Sequence, residues 1–197
     1  HRDAVDHAKA REAAALMGPA TPPATFKGEL KPFQSEGVTW LLSNKRTLLA
    51  DDMGLGKTVT ALAAIATVHA FPALVVVPTA VQRQWVRMSS AFLDMPSGDL
   101  FDQAVVLKGQ TPYSIPNMPV VVIHYGLIAY WRDALIEHGF KAVVFDEIQE
   151  LRHANTEKYS AASLISGAVD LVWGLSGTPI YGYGGEIWSV LNILDFQ

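Results

Sequence analysis

"ADDMGLGKTVTALAAI", residues 50–65, joins a short apolar run to an alanine-rich helical stretch through a turn with two glycines, a lysine and a threonine. After a buried strand, Gly54 and Gly56 can take backbone angles closed to other residues. Several N–H groups then converge at the N-terminus of the next helix, where the helix dipole favours an anion. Asp51, Asp52, Met53, Gly54, Leu55, Gly56, Lys57 and Thr58 therefore read as a phosphate cradle. Lys57 would neutralise the β- and γ-phosphates of a nucleotide, and the Thr58 hydroxyl is placed to ligate magnesium. The strict pattern opens on Gly where this chain has Asp51, which leaves the working residues intact. The competing reading is a glycine turn leading to a solvent-facing lysine. A strand before, a helix after, and Gly56-Lys57-Thr58 in order favour the cradle.

Outward from this stretch, apolar runs and helical patterns alternate from Phe26 onward. Strands are expected at 47–50, 73–77, 103–107, 119–123, 141–145 and 170–175, with helices at 32–43, from 57, from about 80, at 126–138 and at 157–166. Unbroken β-branched runs such as "ALVVV" fit strands buried on both faces, hence an α/β fold with a mainly parallel sheet between helical layers. Residues 3–17 read as an exposed helix, and "GPATPPAT" at 18–25 as a linker or arm. The expected division is an N-terminal helix and Pro-rich arm over 1–27 and one nucleotide-binding lobe over 28–197.

A chain of 197 residues that is 50% hydrophobic can bury the core of one such domain. No apolar run approaches the length of a membrane span, and the charged opening lacks a signal-peptide core. An intracellular protein is expected, cytoplasmic in a prokaryote or nuclear in a eukaryote. Without cysteine there are no disulfides or thiolate metal sites, and the six histidines lack ligand-like spacing. The net charge of −4 permits a local basic stripe but not a basic coat. His1 in place of Met suggests a piece of a longer protein.

A nucleoside triphosphate site needs a second feature, and "AVVFDE" delivers it at Asp146 and Glu147. In a parallel sheet the C-terminal strand ends gather at one edge, so this pair can stand beside the phosphate loop. Asp146 would hold magnesium, and Glu147 would orient and deprotonate the attacking water.

Six segments in order carry a resemblance: "LKPFQSEGVTWLL" (30–42), "ADDMGLGKT" (50–58), "LVVVPTAVQRQWVR" (74–87), "VVIHYGLI" (121–128), "VVFDEIQELRHANT" (143–156) and "WGLSGTPI" (173–180). The chain resembles the Snf-type (Swi/Snf) helicase-like ATPases of superfamily two, whose phosphate loop commonly reads "DEMGLGKT"; Asp51 is that family's own spelling. The resemblance implies a RecA-like three-layer sandwich, the first lobe of a two-lobe motor, with ATP and Mg²⁺ as fuel and double-stranded DNA as a track gripped without sequence preference. It implies a second RecA-like lobe, bearing an arginine finger, elsewhere in the parent protein. A strand-separating helicase or the motor subunit of a restriction system shares these motifs, and a nucleotide-binding interaction module is the non-enzyme alternative.

Carried over residue by residue, the resemblance assigns Gln34 to the adenine edge, which its carboxamide suits by donating and accepting at once. It assigns Pro78, Thr79, His124, Tyr125 and Gly126 to the nucleic-acid backbone, although Tyr125 and Trp85 read equally well as core aromatics. Ser176, Gly177 and Thr178 would couple phosphate state to lobe movement. Gln149 stands where the family often has His, so coupling there would be neutral. "YGYGG" at 181–185 replaces the family's polar residues, a change with no physical account in the sequence.

Overall fold

Residues 20–95, 102–177 and 184–194 are described by the computed structural model of the chain. Six strands, β1 (Arg46–Leu49), β2 (Ala73–Val77), β3 (Ala104–Val106), β4 (Val120–His124), β5 (Ala142–Asp146) and β6 (Leu171–Leu175), form one sheet. Its order is β1-β6-β5-β2-β4-β3 and every pairing within it is parallel. The apolar runs fall on these strands to within a residue or two at their ends.

Both faces of the sheet are covered, as the unbroken β-branched runs require. Ala73, Val75 and Val77 point into one core with Val122, Val144, Trp173 and Leu175; Leu74 and Val76 point into the other with Val121, Ile123, Val143, Phe145 and Val172. The period-two alternation of side chains divides each strand between the two layers. The first core is closed by α1 (Pro32–Ser43), α2 (Lys57–Thr67) and α3 (Gln82–Phe92), the second by α4 (Ile128–His138), α5 (Glu157–Gly167) and α6 (Gly184–Leu194). The result is the three-layer RecA-like sandwich.

Local chemistry sets the helix ends. Pro32 opens α1 in the first turn, where its missing N–H costs nothing. The Thr156 hydroxyl caps α5 by accepting from the Tyr159 N–H at 3.3 Å. The helix expected from about 80 begins instead as a single 3₁₀ turn, Thr79–Val81, because Pro78 is held extended and the chain must turn before α3 can start. Helix α6 carries the "EIWSVLNIL" tail and buries Val190, Ile193 and Leu194.

The Pro-rich arm is not a free linker over its last residues. Phe26 is buried, stacks on Phe92 with ring centroids 5.6 Å apart, and bridges to Leu93. The boundary expected at residue 27 lies inside this packed stretch, and the expected helix at 3–17 lies outside the described residues. Arg46 ties three segments together. Its guanidinium donates to the Leu194 carbonyl at 2.8 Å, to the Val169 carbonyl at 2.8 Å and to the Ser166 hydroxyl at 2.6 Å. A cation thereby satisfies carbonyls at the C-terminal ends of α5 and α6. Among the described residues no helix is long and apolar enough to cross a membrane.

Candidate functional site

The sheet register brings the sequence-distant motifs to one edge. Leu49 of β1 stands level with Leu175 of β6, and Leu175 level with Asp146 of β5; Val77 stands level with His124. Whatever follows these strand ends must meet above the sheet, so the loop of 50–56, Asp146-Glu147, Ser176-Gly177, Pro78-Thr79 and His124 share one rim.

In the loop, Gly54 and Gly56 both adopt the left-handed conformation, with φ of +85° and +78°. Gly56 immediately precedes α2, so the loop turns sharply and presents the helix N-terminus with Lys57 as the first helical residue. The Lys57 ammonium donates to the carbonyls of Asp51 at 2.9 Å and Asp52 at 3.0 Å, which hold it within the loop. Thr58 is buried beside it, while Met53 and Leu55 are exposed. Gln34 supports the loop from α1. Its Nε2 donates to the Leu55 carbonyl at 3.1 Å and its Oε1 accepts from the Lys31 N–H at 3.0 Å. A carboxamide has two donors and two acceptor sites, so one of each remains for an adenine edge.

Asp146 is held from three sides. Its Oδ2 accepts from the Trp85 indole N–H at 2.7 Å, its Oδ1 from the Glu147 N–H at 3.1 Å, and its carbonyl from the Tyr125 hydroxyl at 2.8 Å. Burial pushes the Asp146 carboxyl above the usual carboxylate range and nearby Glu147 adds to the rise, while the Trp85 hydrogen bond, the Glu147 N–H and the charge of Lys57 pull it back. Glu147 itself takes a left-handed backbone, φ 51° and ψ 53°, a conformation that costs a residue with a side chain about 1–3 kcal/mol. The turn it makes starts the 3₁₀ segment Ile148–Leu151 and folds Gln149 back over it.

A polar relay leads from there to the phosphate loop. Gln149 Nε2 donates to Glu147 Oε2 at 2.5 Å, and Gln149 Oε1 accepts from the Ser176 hydroxyl at 3.0 Å. Ser176 is buried, and its N–H donates to the Leu49 carbonyl at 3.1 Å. Gly177 lies so close to the loop that an added methyl would stand 2.8 Å from Met53 Cγ and 3.2 Å from Lys57 Nζ. Glu147, Gln149 and Ser176 are thus joined by hydrogen bonds, and Gly177, next in the chain, packs closely against Met53 and Lys57 of the loop; Thr178 lies outside the described residues.

Tyr125, expected at the nucleic-acid backbone, is instead a core residue only 4% exposed, with its hydroxyl turned inward onto Asp146. Burial raises its hydroxyl pKa well above the ordinary value, so it stays a donor at neutral pH. His124 remains half-buried at the rim; its Nδ1 accepts from the Gly126 N–H at 3.2 Å. Pro78 and Thr79 are on the same rim and not buried. Trp85, read as either a track contact or a core aromatic, is fully buried and reaches Asp146. A signal for that role existed: a lone tryptophan in the polar run "QRQWVR", once buried, must find an acceptor for its N–H.

The residues present fit ATP with magnesium. Two left-handed glycines open the loop, and the Thr58 hydroxyl and Asp146 carboxylate supply the hard oxygen donors that magnesium takes. Each Asp146 oxygen spends one lone pair on its N–H donor and keeps another. Among the described residues no group of three or more His, Asp or Glu is placed to hold a metal ion by itself.

Comparison with known proteins agrees with this geometry. Residues 33–197 match the model of the SNF2-related domain. The chain is 34% identical over 164 residues to the SWI/SNF-related matrix-associated actin-dependent regulator of chromatin subfamily A-like protein 1 of Xenopus laevis, covering 82% of this chain and 17% of that protein. It is 33% identical over 180 residues to the ATP-dependent helicase BRM of Arabidopsis thaliana, covering 85% of this chain and 8% of that protein. Among solved structures it resembles the Sulfolobus solfataricus SWI2/SNF2 ATPase core in complex with dsDNA, with a TM-score of 0.74 and 25% identity over 89% of this chain and 37% of that one. The chain therefore spans a small part of the length of these relatives. With the phosphate loop, the Asp146-Glu147 pair and the Ser176-Gly177 relay on one rim of a RecA-like sheet, the chain belongs to the SNF2-related family of Snf-type helicase-like ATPases, as their N-terminal lobe.

Proposed function

We propose that these residues form the ATP-binding first lobe of an ATP-dependent double-stranded DNA translocase, paired in a longer polypeptide with a second RecA-like lobe. The observation that carries this reading is the unbroken series from Glu147 through Gln149 and Ser176 to Gly177, which lies against Lys57. A mere nucleotide-holding module has no need to connect its water-activating carboxylate to the far side of its phosphate loop.

In this reading the N–H groups at the start of α2 cradle the phosphates, and Lys57 neutralises the β and γ oxygens. Thr58 and Asp146 hold magnesium, which supplies positive charge to the phosphates when bound. Glu147 orients and deprotonates the attacking water, and Gln149 Nε2 fixes the carboxylate that does so. Loss of the γ-phosphate changes what Lys57 and Glu147 contact, and Gln149 passes that change to Ser176 and onward to the second lobe. A carboxamide does not ionise near neutrality, so the relay carries position rather than charge. Pro78, Thr79, His124 and Gly126 meet the DNA backbone, and the protein acts wherever the cell keeps its DNA.

A polypeptide carrying this chain and its second lobe, assayed on duplex DNA bearing a triplex and on forked DNA, tests the reading. Displacement of the third strand without unwinding of the fork is expected. Fork unwinding would replace translocation by strand separation, and inactivity on both would leave only a binding module.

A further inference from the structure

We propose that Trp85 is a positioning residue for Asp146, and that with Tyr125 it forms a two-point clamp through which the segments after β2 and β4 set the placement of the magnesium-holding carboxylate. The inference rests on the reading that Asp146 holds magnesium. The clamp itself is visible in three hydrogen bonds. The Trp85 N–H fixes Oδ2 at 2.7 Å, the Glu147 N–H fixes Oδ1 at 3.1 Å, and the Tyr125 hydroxyl fixes the Asp146 carbonyl at 2.8 Å. With both oxygens engaged, the carboxylate cannot rotate about its last bond without losing a donor.

The choice of donors bears on the function. An indole N–H orients the carboxylate, and a phenol hydroxyl the backbone carbonyl of the same residue, without adding charge, whereas a lysine or arginine in place of Trp85 would compete with the metal for the carboxylate. Trp85 is fully buried, so water does not offer the carboxylate an alternative donor on that side. The clamp is also attached to the rim. Trp85 lies on the first turn of α3, directly after the Thr79–Val81 turn, and the Tyr125 N–H donates to the Val77 carbonyl at 3.1 Å. A displacement at Pro78-Thr79 or at His124 therefore reaches Asp146 through one helical turn or one residue. Two rim segments proposed to meet the DNA backbone converge on the same aspartate.

The test measures magnesium dependence rather than turnover. Binding of mant-ADP to the 197-residue chain is followed in EDTA and across a MgCl₂ titration, for wild type, Trp85→Phe, Tyr125→Phe and a chain with 3-benzothienylalanine replacing Trp85. The last replacement exchanges N–H for sulfur in a bicycle of the same shape, so the core stays filled even if Trp85→Phe fails to fold. Partners that orient metal ligands change metal affinity by about 10- to 100-fold. The benzothienyl chain is expected to need about that much more magnesium for half-saturation, with its nucleotide affinity in EDTA unchanged, and Tyr125→Phe is expected to move in the same direction. A benzothienyl chain with the wild-type magnesium curve overturns the role of Trp85, and an unmoved Tyr125→Phe removes Tyr125 from the clamp. An equal loss of affinity in EDTA marks a packing role and also overturns the inference. Wild type that binds no mant-ADP under either condition overturns the nucleotide reading itself.

Discussion

Gly54 and Gly56 have nearly the same positive φ but different surroundings, and alanine at each position separates the two contributions. At Gly54, φ is +85° and an added Cβ meets nothing within 4 Å; at Gly56, φ is +78° and the Cβ would stand 2.6 Å from Gln34 Nε2. Both variants incur the cost of a left-handed side-chain-bearing residue, roughly 1–2 kcal/mol, offset by ~0.4–1 kcal/mol because alanine restricts the unfolded chain. Only Gly56→Ala must also expel the Gln34 carboxamide, losing its hydrogen bond to the Leu55 carbonyl, a further ~0.5–1.5 kcal/mol. At about 2–4 °C per kcal/mol for a chain of this size, Gly56→Ala should melt roughly 1–6 °C below Gly54→Ala. Thermal unfolding of both single variants, and of each combined with Gln34→Ala, measures the difference. In the Gln34→Ala background the gap should close. Equal melting of Gly54→Ala and Gly56→Ala, or a gap that survives loss of Gln34, would refute the contact reasoning.

Lys57→Ala should lower ATP affinity at least tenfold, ~1.4 kcal/mol, in a chain that remains folded, as calorimetric titration will read. Arg46→Ala strips donors from carbonyls at the ends of α5 and α6 and should destabilise the chain by about 3 kcal/mol in urea unfolding, with nucleotide affinity in the folded protein unchanged. Burial lowers the pKa of His124 from 6.5, so its contribution to stability is present above 6.5 and is lost as pH falls through the folded value; melting temperature should drop on acidification below 6.5, less steeply in His124→Asn. DNA binding by this lobe should be weak, independent of sequence, and fall with salt at a log–log slope of about −2 to −4, measurable by fluorescence anisotropy. Phosphate release by this chain alone should lie about 10³- to 10⁵-fold below that of a two-lobe polypeptide, because an arginine finger on the second lobe would stabilise the charge on the transferred group.

The layers of the fold were legible because strands buried on both faces leave runs such as "ALVVV" and "PVVVI", which little else in a soluble chain requires. The loop of 51–58 and Asp146-Glu147 were legible for a related reason: phosphate chemistry needs backbone freedom, a point charge and a hard oxygen at fixed spacing, and each leaves its mark locally, whereas Gln34 was reached only through the family resemblance. Less could be read where a side chain's role depends on what the fold brings to it. Trp85 and Asp146 are 61 residues apart, and only the β5-β2 pairing puts them together. Tyr125 stands in a segment whose neighbours His124 and Gly126 remain at the rim, and side-chain alternation at the strand end turns it inward. The left-handed Glu147 and the reach of Arg46 to residues 166, 169 and 194 leave no trace in local composition. Strand order likewise follows from packing rather than from any single motif.

The most direct test of the central claim is steady-state phosphate release by a two-lobe polypeptide containing these residues, with and without linear duplex DNA, beside the same polypeptide carrying Glu147→Gln. The motor reading predicts turnover that rises with DNA in the wild type and is lost in Glu147→Gln, with mant-ADP binding retained. Turnover indifferent to DNA, or unaffected by Glu147→Gln, would contradict it.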